Sequence, residues 1–298
     1  MRVFVTGATG FIGSAIVQAL AGAGHTVLGL ARSDASAGAL SRLGIEAHRG
    51  DLADPDSLAA GARACDGVIH TAFIHDFAQY QTSVETDRLA VEALGAALVD
   101  SDKPLVIASG TAMLAFAAPG QVGAEDDAPP PTIPRIAAEE AALSTASRGV
   151  RASVVRLPPS VHGDGDRGFL HGLISTAREK GVSAYVGEGR NRWPAVHRLD
   201  AADLFKRALE NGSAGTRYHA VAEEGVAVAE IAGVIARRLG VPLARKTAEE
   251  AGAHFGFLGM ILALDCPASS ARTRAALGWR PTQAGLIADL DHGRYFDG

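Results

Sequence analysis

Three glycines at three-residue spacing, Gly7, Gly10 and Gly13, lie between the apolar run Val3-Phe4-Val5 and a second apolar stretch, Ala15 to Leu20. The first run is short and lacks a helical period, which reads as a buried strand; the second has helical spacing. A strand that enters a glycine turn and leaves it as a helix offers backbone N–H groups and a positive helix end to an anion. One glycine permits the tight turn, one lets a pyrophosphate approach the backbone, and one lets helix and strand pack closely. The segment predicts a dinucleotide site.

Which dinucleotide depends on the end of the next strand. His25-Thr-Val-Leu-Gly-Leu-Ala31 runs into Arg32-Ser33, where an NAD site would place an acidic residue for the ribose 2′-hydroxyl. A carboxylate there would repel a 2′-phosphate, whereas Arg32 could pair with one and Ser33 could donate to it. The expected cofactor is NADP(H) in preference to NAD(H), with Asp34 as the counterargument.

The elements that must position these residues alternate. Strand-like segments fall at Ile45–His48, Gly67–Thr71, Leu105–Ala108 and Arg151–Leu157, and helical patterns at Pro55–Ala64, Thr86–Val99 and Ile136–Ser147. Repeated βα units predict an α/β fold, a Rossmann-type doubly wound parallel sheet with ligands at the carboxyl ends of its strands. Residues 1–157 are expected to form the cofactor domain, with later segments returning to it. Residues 158–298 are expected to form mainly a smaller C-terminal substrate lobe, with helices at Ala201–Glu210, Val228–Leu239 and Ala248–Phe255.

Composition narrows the function class. The chain has 298 residues, 28 basic and 33 acidic, and a net charge of −5, so nothing predicts a nucleic-acid surface. Its two cysteines, Cys65 and Cys266, are far apart, and no Cys/His cluster has metal-ligand spacing, so neither a disulfide framework nor a metal site is expected. No run of 18 uninterrupted apolar residues occurs and the N-terminus does not read as a signal segment, which predicts a cytoplasmic protein with no membrane partner.

Five ordered motifs carry a resemblance: TGATGFIG at 6–13, Asp51-Leu52, DGVIHTA at 66–72, RLPPSVHGDGD at 156–166 and LGWRPT at 277–282. Together they resemble the short-chain dehydrogenase/reductase superfamily, in its extended, NAD-dependent epimerase/dehydratase branch. The resemblance implies that Gly7, Thr9, Gly10, Phe11, Ile12 and Gly13 line the pyrophosphate, and that Asp51 and Leu52 meet the adenine. It also implies that Thr71, Ala72 and Phe73 meet the adenosine-side ribose and phosphates, and that Pro158, Pro159, Ser160 and Val161 cradle the nicotinamide carboxamide. Such relatives often dimerise through the helices corresponding to 86–100 and 135–148, which leaves a homodimer open.

The departures bear on the reaction. The family's Tyr, with a Lys four residues later, corresponds here to Pro131-Thr-Ile-Pro-Arg135, and none of Tyr80, Tyr185, Tyr218 and Tyr295 has a Lys four residues downstream. Pro131 cannot transfer a proton; Arg135 could hold the nicotinamide ribose but does not titrate as lysine does. The family's Ser/Thr falls near Ser109-Gly110-Thr111, so Thr111 or Ser109 could meet a substrate oxygen or merely satisfy local backbone. Asp87 stands where relatives carry an Asn and counts, with Thr111, among the catalytic candidates. The sequence thus resembles the atypical members, which keep the cofactor fold without the usual catalytic set.

Two histidines are candidates for proton transfer. His75, beside Asp76, follows the fourth strand, and His162 lies in PPSVHG near the expected nicotinamide. His197 and Asp200 read as structural, Trp193 and Tyr185 as pocket wall or core, and Arg190 and Arg192 as anion contacts or solvated loop. The expected function is an NADP(H)-dependent oxidoreductase reducing a carbonyl or imine-like group on a small molecule. The alternatives are an NAD(P)-dependent epimerase/dehydratase and a non-catalytic NADP(H)-binding redox sensor.

Overall fold

A computed structural model describes residues 1–76, 79–256 and 258–297. The first half alternates strand and helix: β1 (Arg2–Thr6), α1 (Phe11–Gly22), β2 (Thr26–Ala31), α2 (Asp34–Arg42), β3 (Glu46–Arg49), α3 (Pro55–Arg63), β4 (Gly67–His70), α4 (Tyr80–Ala97), β5 (Pro104–Gly110), α5 (Ile136–Ser144) and β6 (Arg151–Leu157). There follow β7 (Ser160–His162), α6 (Phe169–Lys180), β8 (Ser183–Val186), β9 (Arg192–His197), α7 (Arg198–Asn211), β10 (Thr216–His219) and β11 (Glu223–Ala227). The chain closes with α8 (Val228–Leu239), β12 (Leu243–Lys246), α9 (Ala248–Phe255), α10 (Leu258–Leu262), α11 (Ala271–Leu277) and α12 (Leu286–His292).

Seven strands form one parallel sheet in the order β10-β6-β5-β4-β1-β2-β3. Its middle strands are apolar without alternation because both faces are covered. Val3 and Val5 of β1 enter the core packed by α1 and α7, while Phe4 between them enters the core packed by α3, α4 and α5. The chain winds outward from β1 to β3, then crosses to β4 on the other side. The crevice between the carboxyl ends of β1 and β4 is therefore the topological switch point where such sheets bind ligands.

Beyond β6 the chain builds a second core from α6, β8, β9, α8, α9 and α12, with Trp193 fully buried against Phe169. Two later pieces rejoin the large sheet: β10 pairs with β6, and α7 packs on α1. Trp279 in the LGWRPT motif locks this return, its indole donating to Asp200 O at 3.0 Å. The Asp200 carboxyl oxygens accept from Thr282 N and Gln283 N at 2.9 and 3.0 Å.

The element boundaries depart from the sequence reading in places. α4 starts at Tyr80 rather than Thr86, and α5 gives way after Ser144 to a 3₁₀ turn. α2 and α6 were not anticipated. α2 buries only Leu40, so it has no apolar stripe to read; Ser33, whose side chain accepts from Ser36 N, marks its start.

Candidate active site

The glycine turn has the geometry that its spacing implied. Gly7 holds φ +71°, and a Cβ there would stand 2.8 Å from both Ala72 N and Thr71 Oγ1. A Cβ on Gly13 would stand 2.0 Å from Gly7 O, so α1 can lie on the turn only because this residue has none. Gly10 caps α1; a side chain there would meet only Gly7 O, 3.1 Å away, and would otherwise fill the open concavity over the helix end. No side chain caps α1 and no acidic residue sits in its first turn. The concavity and the free helix end fit a pyrophosphate.

The floor of this cradle is fixed by a buried polar chain. Ala72 N donates to Thr6 Oγ1 at 3.3 Å, Thr6 Oγ1 and His70 Nδ1 lie 2.9 Å apart, and His70 Nε2 donates to Asp87 Oδ1 at 3.1 Å. Thr71 donates its hydroxyl to Thr6 O at 2.9 Å. Asp87, expected as a catalytic acid, is thus buried and turned to His70, where it holds the end of β4 against β1. His70 itself escaped the sequence reading.

Around the adenosine end, Arg32 is exposed and makes no ion pair among the described residues. Asp34 is paired with Arg49 from β3. The negative charge that argued for NAD therefore has a cation of its own, and Arg32 is left unneutralised. Ser33 serves first as the cap of α2, and Asp51 Oδ1 accepts from Ala53 N at 2.9 Å in the turn after β3, with Leu52 partly buried beside it.

Arg135 and His75, expected near the nicotinamide and substrate, converge on Phe73, which the resemblance had put on the adenosine side. The Arg135 guanidinium lies 3.7 Å from the Phe73 ring centroid, and Phe73 meets His75 edge-on at 5.3 Å. Burial and then the charge of Arg135 lower the His75 pKa below its ordinary value. Thr111 is buried, its hydroxyl 3.5 Å from Leu157 O. Ser160 is also buried, and its hydroxyl has no hydrogen-bond partner among the described residues. Pro158, Pro159 and Val161 frame it.

His162 sits deeper, fully buried, with Nδ1 at 2.8 Å from Asp289 Oδ2. Tyr295 donates to the same oxygen at 3.0 Å while accepting from Gly163 N at 2.6 Å. The His162 Nε2 and Asp166 Oδ2 atoms of this region are both buried without a partner. Burial raises the Asp166 carboxyl to about 6, against the opposing effects of Gly168 N and His162. Asp289 and Tyr295 could not be found from sequence, since only the packing of α12 and the turn after it brings them to this region; Asp166, inside the motif at 156–166, was in view but not singled out.

A second buried polar network went unread. Arg156 is bidentate to Glu139 at 2.9 and 2.8 Å, both side chains fully buried, and Arg217 joins at 3.1 Å. Burial alone would raise the Glu139 carboxyl, but Arg156, with Ser109 and Arg217, holds it below its ordinary value. Ser109 thus lies beside Glu139. His219, at the end of β10, is pushed down to about 4 by burial. Arg192 is bound to Asp265 at 3.0 and 2.9 Å, so its charge already has a carboxylate partner.

The family model for the NAD dependent epimerase/dehydratase family matches residues 3–222. The chain belongs to this family. It is 51% identical over 297 residues to uncharacterized protein C2A9.02 of Schizosaccharomyces pombe, covering 99% of this chain and 100% of that one. It is 30% identical over 229 residues to a 4-hydroxy-2-methyl-3-oxo-4-farnesyl-3,4-dihydroquinoline-1-oxide ketoreductase of Stigmatella aurantiaca, covering 73% and 67%. Among solved structures it is similar to the dTDP-glucose 4,6-dehydratase DesIV of Streptomyces venezuelae with NAD bound, with TM-score 0.79, 21% identity and coverage of 99% and 97%. The seven-stranded parallel sheet and its glycine turn are the Rossmann-type architecture of this family. No helix among the described residues is long and apolar enough to cross a membrane.

Proposed function

We propose that the protein is an NADP(H)-dependent reductase acting on a carbonyl or imine-like group of a small molecule held between the carboxyl ends of the sheet strands and the 158–298 lobe. The observation that carries the cofactor choice is the unneutralised Arg32 at the end of β2, with Asp34 occupied by Arg49. A 2′-phosphate would complete that site. The reaction class draws on the likeness to a ketoreductase.

Bound NADPH would supply the hydride, as the cofactor does in this chemistry. The protein's part is to bind, orient and move a proton. Gly7, Thr9, Gly10, Phe11, Ile12 and Gly13 would take the pyrophosphate, and Ser160 would give its orphaned hydroxyl to the carboxamide. With Pro131 and Arg135 in place of the family's Tyr and Lys, Arg135 neutralises a developing oxyanion rather than relaying a proton. His75 is the expected donor reachable from solvent: Thr111, Asp87 and His162 are all buried. A second reading, an epimerase or dehydratase, draws on the family match and the DesIV likeness. The missing Tyr–Lys pair counts against it.

The test is titration with NADPH and NADH, then NADPH oxidation against a panel of ketones and imines. Arg32→Ala should weaken NADPH by roughly ten- to hundredfold, the worth of a charge-assisted contact, and leave NADH unchanged. Equal losses for both cofactors would refute the NADP(H) assignment.

A further inference from the structure

Arg198 opens α7, which packs on α1, and its guanidinium lies 5.1 Å from the ring centroid of Phe11, the first residue of α1. Its Nη1 donates to Asp164 O at 2.7 Å, and no carboxylate among the described residues pairs with it. The 163–165 turn closes around the side chain: a Cβ on Gly163 would stand 3.0 Å from Arg198 Cγ, and one on Gly165 3.7 Å from Nη1. The guanidinium thus lies beside the first residue of α1, whose N-terminal end has no side-chain cap, and no carboxylate among the described residues neutralises it. A helix N-terminus carries roughly half an elementary positive charge, so an anion at that end would be attracted by both groups.

We infer that Arg198, at the start of α7, is a second holder of the cofactor's pyrophosphate beside the α1 amides. The inference rests on the dinucleotide reading of the glycine cradle. Because Arg198 also holds Asp164 O, its grip is tied to the 163–168 turn, which carries Asp166 and is fastened to Tyr295 through Gly163 N. A purely structural Arg198 would only fasten that turn, and ligand chemistry separates the two roles.

The test uses three ligands on the full chain: NADPH, ADP-ribose, which keeps the pyrophosphate but lacks the 2′-phosphate, and 2′-AMP, which has the reverse. Arg198→Met keeps the apolar stem on Phe11 and removes the charge. It should weaken NADPH and ADP-ribose by about tenfold, flatten their salt dependence, and leave 2′-AMP unchanged. Arg198→Lys should recover part of the loss. Arg32→Ala should do the opposite, weakening NADPH and 2′-AMP but not ADP-ribose. Unchanged ADP-ribose binding in Arg198→Met would overturn the assignment, as would equal losses for ADP-ribose and 2′-AMP. If wild-type protein binds ADP-ribose but not 2′-AMP, the NADP(H) preference fails while the Arg198 assignment is still decided by its own variant. Failure of the wild type to bind ADP-ribose overturns both.

Discussion

Replacing Asp166 by Asn should make the protein more stable at neutral and alkaline pH and change its stability little below pH 4. Asp166 is 8% exposed, its Oδ1 accepts from Gly168 N at 2.6 Å, and its Oδ2 is buried without a partner. Burial lifts its carboxyl to about 6, from an ordinary value of 3.8. In the unfolded chain the group loses its proton near 3.8; in the native protein it keeps it until about 6. Between those values the unfolded state binds fewer protons, so raising the pH favours unfolding. The native state carries no penalty below 3.8, an increasing one through the window, and the full one above 6. At ~1.4 kcal/mol per pH unit, the full penalty is about 3 kcal/mol, and deep burial leaves little solvent screening to reduce it.

Asn keeps the acceptor for Gly168 N and cannot ionise. Its own cost of burying an amide is the same at every pH, so the quantity that matters is the change in the difference between the two proteins. Urea unfolding of wild type and Asp166→Asn, from pH 4 to 7.5, should show the variant gaining about 2.5 kcal/mol on the wild type across that range. His219, pushed down to about 4, costs both proteins stability as the pH falls below 6.5, and it cancels in the comparison. A difference that stays constant with pH would refute the reasoning, because it would mean that Asp166 ionises in the native protein as it does unfolded.

Removing Glu139 should be severe. Glu139→Ala leaves the fully buried Arg156 without its bidentate partner, and unfolding free energy measured in urea should fall by about 3–5 kcal/mol. Gly13→Ala places a methyl 2.0 Å from Gly7 O, so the α1 turn must shift; cofactor affinity by fluorescence titration should be lost, and stability should fall by about 1–3 kcal/mol. If His75 supplies the proton, the rate of NADPH-dependent reduction should climb as the pH falls below 6.5, since only the imidazolium form donates and its pKa is lowered. His75→Phe should remove that limb; a rate profile unchanged in the variant would exclude the assignment.

What was legible in the sequence follows from the range of the forces involved. The cradle at Gly7, Gly10 and Gly13 is local: strand, turn and helix are consecutive, and each glycine answers to an atom within a few residues or to the adjacent end of β4. The inner strands β1, β2, β4 and β5 were legible for a related reason, since a strand buried on both faces writes its burial as a nearly unbroken apolar run, whereas β3, Glu46–Arg49 at the sheet edge, could be placed only by the alternation of elements. Polar partners across the fold leave no such trace. Asp87 could be noticed as an acid on a helix, but its partner His70 lies on another element, so a chemical role was assigned to a residue that the packing spends on positioning β4. Arg156 offered a usable signal that went unused: a charged residue between Val155 and Leu157 in a buried strand must have a buried counter-charge, and Glu139 in the alanine-rich helix supplies it. Arg198 offered none, because its meaning arises only where α7 lies across the start of α1. The lobe was hardest to read for the same reason. Its short strands pair with segments distant in sequence, and the residues that surround His162 are brought in by the final helix, more than a hundred positions along the chain.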